Sequence, residues 1–197
     1  MTWFFDLLST ALFTIFIQNL VFSGGYGASE AMRMAAKPRR FVLFALAIAY
    51  FSVLTSVVCR LLESFEAIAA MNFALHAALF GLVLAAVYLA TAVFLRVVFK
   101  AETKFLSLLG IAALNTLVLA IPFINQRAAY SFTGSLGTGL GAGLAFILAV
   151  ALIGKGMHKV SLNKDIPEAF RGAPAMFIYV ALLSLAFTGF SGGALFV

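Results

Sequence analysis

Few side chains in this sequence of 197 residues have types and spacings suited to chemistry. No Ser/His/Asp constellation, metal-spaced His pair or pair of catalytic carboxylates occurs. What stands out is a handful of polar residues set inside long apolar runs. An ionisable group at membrane depth costs roughly 2.5–3.5 kcal/mol, so such residues are functional candidates by default. Asp6, near the outer end of the first run, is a candidate ion-path carboxylate or else a side chain that reaches water. His76, near the outer end of the third run, reads as a hydrogen-bonded structural histidine. Gln18, Asn19 and Asn115 lie deeper, where an amide is suited to satisfying interrupted helix backbone before it is suited to holding an ion. Cys59 is the single cysteine and reads as a small apolar filler. One thiol excludes an intramolecular disulfide and a self-contained four-thiolate metal site.

The elements that must position these residues follow from composition. The chain is 64% hydrophobic and 10% charged, with a mean hydropathy of +1.12. Soluble domains run near 45–50% apolar and about 25% charged. The excess excludes a cytosolic globular protein, a disordered chain and a disulfide-stapled secreted domain. A bilayer-spanning helix needs about 20 apolar residues. Apolar runs at about 3–23, 41–59, 72–95, 105–124, 132–154 and 174–196 predict an all-α, polytopic membrane protein of six transmembrane helices, folded as a single domain over 1–197. The first run is no cleaved signal peptide, because no Lys or Arg precedes Arg33.

Thirteen Lys and Arg against seven Asp and Glu leave the chain basic. No basic surface domain with interleaved aromatics exists to bind nucleic acid. Eleven of the cations fall in three connections: Arg33, Lys37, Arg39 and Arg40; Arg96, Lys100 and Lys104; Lys155, Lys159, Lys164 and Arg171. The other two connections hold only Arg60 and Arg127. Basic connections stay in the cytoplasm, so both termini are expected outside, in the inner or plasma membrane of the cell.

Three spans fall in each half, about 1–96 and 105–197. An odd number forces two related halves into opposite orientations. Such inverted repeats place a site at mid-membrane, where the first helix of each half is interrupted. Helix 1 offers Asn19, then Ser23, Gly24 and Gly25; helix 4 offers Asn115 and Thr116, then Pro122. Either helices 1 and 4 are broken there, with Asn19, Ser23, Gly24, Gly25, Asn115 and Thr116 forming a mid-membrane path, or Gly24, Gly25 and Pro122 simply end their helices near the interface. Freed backbone in lipid costs several kcal/mol per group, so breaks must face the bundle interior or a partner. Gly134, Gly137, Gly139, Gly141 and Gly143 lack the spacing of a phosphate loop. The pairs Gly137/Gly141 and Gly139/Gly143 instead predict close helix packing. The 22 Phe residues are expected to supply lipid-facing and packing bulk.

Asp165-Ile166-Pro167-Glu168-Ala169-Phe170-Arg171-Gly172, followed by Leu183-Ser184-Leu185-Ala186-Phe187-Thr188-Gly189-Phe190-Ser191-Gly192, resembles the C-terminal signature of the RnfA/NqrE membrane subunits. Leu108-Leu109-Gly110, Asn115 and the stretch Val53 to Cys59 are similar to corresponding parts of that family. The resemblance implies a subunit of an Rnf or Nqr complex, which moves electrons from ferredoxin or NADH and couples their flow to sodium or proton transport. It also implies a homologous, oppositely oriented six-helix partner, and a [2Fe–2S] cluster held between the two by cysteines on helices 1 and 4. Here the helix 1 segment reads Ser23-Gly24-Gly25-Tyr26-Gly27 without cysteine, and Thr116 stands where the helix 4 cysteine would be. Cys59 matches a family cysteine outside the cluster set. Iron–sulfur clusters need thiolates or histidines, so this chain is expected to bind no cofactor alone.

The resulting expectation is a cluster-less membrane subunit of an Rnf/Nqr-like complex, seated in the lipid bilayer beside an oppositely oriented homologue or a second copy, with flavin and iron–sulfur subunits completing the complex. The alternatives are a small-solute or ion transporter that kept the fold and lost redox function, and a structural or assembly protein.

Overall fold

The computed structural model describes residues 2–36 and 41–190. Lys37, Arg39 and Arg40 of the first connection, and Ser191-Gly192 of the C-terminal signature, lie outside the described residues. Among those residues all regular structure is helical. The chain opens with α1 (Thr2–Leu12), continued by a π-helical turn over Phe13–Ile17. A short α2 (Leu20–Ser23) and α3 (Ala28–Ala36) follow. Then come α4 (Phe41–Leu62), the single turn α5 (Glu66–Ala69) and α6 (Phe73–Val98). The second half holds α7 (Thr103–Ala113), α8 (Thr116–Arg127), α9 (Phe132–Leu162) and α10 (Ala173–Phe190). Among the described residues five stretches are long and apolar enough to cross a membrane: α4, α6, α7 with α8, α9 and α10. The apolar stretch Thr2–Ile17 is shorter.

The first apolar run differs from the expected span of 3–23. It is divided between α1 with its π turn and the short α2, and α3, which the sequence places in a connection, lies against the far part of α9: a Cβ on Gly154 would sit 3.8 Å from the Ala35 carbonyl oxygen. Glu30 and Arg33 pair on its outer face, while Ala31 and Met34 are buried.

The centre of the bundle is α9, which packs against α1, α3, α4, α8 and α10. Its glycines explain how. Gly137 and Gly141 face α1; a Cβ on Gly137 would strike Thr10 Oγ1 and the Leu7 carbonyl, and one on Gly141 would lie 2.9 Å from the Ala11 carbonyl oxygen. Gly139 and Gly143 face α4, with Val53 Cα at 2.9 Å and Ala49 Cβ at 2.5 Å from the corresponding positions. Two residues of offset turn the pairs about 200° apart around the helix. One glycine ladder therefore seats two neighbours on opposite sides. The small-residue pairing expected from the sequence is this double seam.

The helix α9 runs 31 residues, about 46 Å, well past the expected end near residue 154. A helix need not stop where its apolar run stops, and its last turns leave Lys155 and Lys159 exposed. The connection left to α10 is tied by Arg171, which donates to the carbonyls of Ile166 (2.9 Å) and Lys164 (3.1 Å). Alternating helix direction gathers Arg96, Lys104, Lys155 and Lys159 at one end, the basic end; Asp6, Arg60 and Arg127 lie at the opposite end. The flanking helices α6 and α10 are largely exposed, showing Leu82, Val97, Phe177 and Leu182 outward.

Candidate functional site

A helix interrupted in lipid orphans carbonyls behind the break and N–H groups ahead of it. An amide side chain carries both a donor and an acceptor, so one Asn can serve both sides. Asn19 does. It takes an extended conformation (φ −64°, ψ 104°) between the π turn and α2. Its Oδ1 accepts from Val21 N (3.2 Å), and its Nδ2 donates to the carbonyls of Ile15 (3.1 Å) and of Ala145 in the middle of α9 (3.3 Å). The Ser23 hydroxyl donates back to the Asn19 carbonyl at 2.9 Å. Asn19 is fully buried. Gln18 is half-buried, and its backbone N–H closes the π turn onto Phe13 O at 2.8 Å.

The second break repeats the cap. Asn115 is extended (φ −81°, ψ 141°) between α7 and α8, and its Oδ1 accepts from Leu117 N at 2.9 Å. Its buried Nδ2, however, has no partner. The breaks meet through the loop after α2: Gly27 N donates to Thr116 Oγ1 at 3.0 Å. Gly27 has φ +71°, and a Cβ on it would lie 2.9 Å from Asn115 Oδ1, so this junction requires glycine. The N-termini of α8 and α3 both start at this point, directing partial positive charge toward it. Ser23, Gly24, Gly25, Tyr26 and Thr116 are exposed, with Asn19, Gly27 and Asn115 buried behind them. Beside them a groove of about 300 Å³ runs along α8 from Thr116 past Phe73 and Phe123 to Arg127.

Several expectations need correction. Pro122 does not interrupt helix 4; it sits inside α8, and the break lies at Leu114–Asn115. Proline there removes one N–H and frees the Val118 carbonyl without stopping the helix. In helix 1, Gly24 and Gly25 (φ +69°) do end α2, but the break itself precedes them, at Gln18–Asn19. His76, expected to be hydrogen-bonded, is buried with its Nε2 lacking a hydrogen-bond partner, and its ring packs edge-on against Phe80, centroids 5.6 Å apart.

The structure does not bring Asp6 to the breaks. Its carboxylate accepts from the Ser131 hydroxyl and from Thr133 Oγ1 (2.6 Å), while Ser131 Oγ caps Gly134 N at 3.0 Å. Asp6 therefore fastens α1 to the N-terminus of α9, where the helix dipole favours an anion. Cys59 is 2% exposed and packs with Phe80 and Val83. Not singled out in the sequence were Asn125, which accepts from Thr138 Oγ1 at 2.6 Å, and the buried hydroxyls of Ser52, Thr55, Ser56 and Ser135. Single Ser and Thr residues are ordinary in apolar helices, so the one signal was that Ser52, Thr55 and Ser56 share a face of α4.

The donor set at the breaks does not fit an iron–sulfur cluster. Thr116 offers a hydroxyl already bonded to Gly27, Gly25 offers no side chain, and the nearest chemistry is amide. Among the described residues no three His, Cys, Asp or Glu side chains group to hold a metal.

Comparison with known proteins agrees with the architecture. The model of the Rnf-Nqr subunit family of membrane proteins matches residues 7–193. The chain is 33% identical over 187 residues to a subunit of the ion-translocating oxidoreductase complex of Aromatoleum aromaticum, covering 94% of each chain. It is 31% identical over 195 residues to the like-named subunit of Azoarcus sp., covering 96% of each. Over 80 residues, 41% of each chain, it is 38% identical to a subunit of the proton-translocating ferredoxin:NAD(+) oxidoreductase complex of Clostridium ljungdahlii. Its multi-pass helical build, its paired helix breaks and these matches together show that the chain belongs to the Rnf-Nqr membrane subunit family.

Proposed function

We propose that this chain is a membrane subunit of a redox-driven, ion-translocating complex, and that it serves there without an iron–sulfur cluster of its own. The carrying observation is the junction of the two breaks. Ser23, Gly24, Gly25 and Thr116 stand exposed about halfway along the bundle, beside the opened backbone of two helices. Polar backbone at that depth is tolerated only against protein or water. A second membrane subunit covering this face satisfies that requirement. The partner is an oppositely oriented homologue, or failing that a second copy of this chain, with flavin and iron–sulfur subunits supplying the soluble redox chemistry.

In this reading the halves 1–96 and 105–197 are inverted repeats. The concentration of Lys and Arg at the basic end sets that end in the cytoplasm and both termini outside, in the inner or plasma membrane. Asn19, Ser23, Gly24, Gly25, Asn115 and Thr116 then line the contact at mid-membrane, where the converging N-termini of α8 and α3 favour a negatively charged group on the partner. Asp6 acts as a helix fastener and not as an ion-path carboxylate.

Isolation of the chain from native membranes in mild detergent tests this. A second six-span subunit and flavin-carrying subunits should copurify, and donor oxidation in vesicles should drive ion uptake. A homodimer free of redox subunits would refute the reading. It would favour the second one, a small-solute or ion transporter, to which the oxygen-and-amide lining of the junction is chemically suited.

A further inference from the structure

Several helical Ser and Thr hydroxyls in this molecule return to the carbonyl four residues back. Thr10, Thr14, Ser23, Thr91 and Ser107 all do so, at 2.7–2.9 Å. Four buried hydroxyls among the described residues have no hydrogen-bond partner: Ser52, Thr55 and Ser56 on α4 and Ser135 on α9, each at most 1% exposed. The same is true of Asn125 Nδ2 on α8, a residue 6% exposed. These five lie within about two helical turns of one another along the bundle. Gly139 abuts Val53 and Gly143 abuts Ala49, so 52–56 of α4 run beside 136–140 of α9 with Ser135 just beyond, and Thr138 bonds Asn125 of α8 at the same level. Closer to the basic end the same seam is apolar, filled by Ala45, Ala142, Phe146 and Ala149.

Left dry, five orphaned groups would together cost as much as the whole stability of a typical protein. They are uncharged, and the hydroxyls both give and accept. Water answers that description, and at about three hydrogen bonds per buried water, two molecules suffice. We propose that Ser52, Thr55, Ser56, Asn125 and Ser135 line a water-filled chamber in the half of the bundle nearest Asp6, and that the translocated monovalent cation passes through it. The cation, sodium or a hydrated proton, exchanges part of its shell for these oxygens. The passage step rests on the function proposed above.

The test uses the assembled complex in inverted membrane vesicles, reading donor-driven sodium-22 uptake, proton uptake by acridine-dye quenching, and electron transfer in parallel. Thr55→Val combined with Ser56→Ala should lower ion uptake roughly tenfold, as expected for lost hydrogen-bonding ligands, while electron transfer stays within about twofold. Thr55→Ser should restore uptake, and Ser135→Ala gives an independent variant should the double one not assemble. Thr55→Val should also lower the melting temperature of the purified complex, because a resident water loses a bond. A rise in melting temperature would mean a dry hydroxyl had been relieved, and would overturn the chamber; unchanged ion uptake per electron would overturn the path. Absence of uptake of either ion by the unmodified complex would instead refute the proposed function.

Discussion

The two breaks use the same residue in the same conformation and finish differently. At Asn19 every polar atom of the side chain is engaged, and the Nδ2 bond to Ala145 ties the break to the central helix. At Asn115 the acceptor caps α8 while the donor stays buried and idle. One break is a closed structural joint; the other is left with unspent hydrogen-bonding capacity beside an exposed hydroxyl at Thr116. The contrast teaches that helix interruption and chemical availability are separable: the cap alone makes the break, and the second half of the amide decides whether it is sealed.

Substitutions at the two joints put that contrast at risk. Asn19→Leu removes a cap, the tie to Ala145 of the central helix and the partner of the Ile15 carbonyl, so it should destabilise by about 3–5 kcal/mol. Detergent-solubilised material should then lose its monodisperse peak in size-exclusion chromatography. Gly27→Ala forces a Cβ into the left-handed region and against Asn115 Oδ1, at a cost of about 2–3 kcal/mol, read as a lowered melting temperature. Asn115→Leu loses a single cap, about 1–2 kcal/mol. It should leave expression near normal while impairing ion uptake by the complex. If Asn115→Leu instead matched Asn19→Leu in stability and left uptake intact, the contrast would be wrong. Thr116→Val removes the acceptor for Gly27 N and should cost about 1 kcal/mol, whereas Thr116→Ser should leave the melting temperature almost unmoved.

Part of this was legible in the sequence. Apolar runs bounded by charge marked the spans, and Asn19 and Asn115 were conspicuous because an amide inside an apolar run demands a partner. Gly137/Gly141 and Gly139/Gly143 announced close packing, although only the structure divides them between α1 and α4. Other features carried weak signals. Pro122 looked like a stop, but one missing N–H in the second turn of a helix held on both sides does not end it. The stretch Ala28–Ala36 reads as a connection because Glu30 and Arg33 dilute its hydropathy; it is helical because Ala31 and Met34 share a face against the bundle. The π turn over Phe13–Ile17 has no composition of its own. Ser52, Thr55 and Ser56 matter through what they fail to bond, which no residue type reveals.

The central claim is that the two breaks of this chain meet with oxygen and amide donors and no thiolates. Iron analysis of the purified chain, with low-temperature electron paramagnetic resonance after reduction, addresses it directly. The account predicts iron far below stoichiometry and no rhombic [2Fe–2S] signal; about two irons per chain with that signal would contradict it.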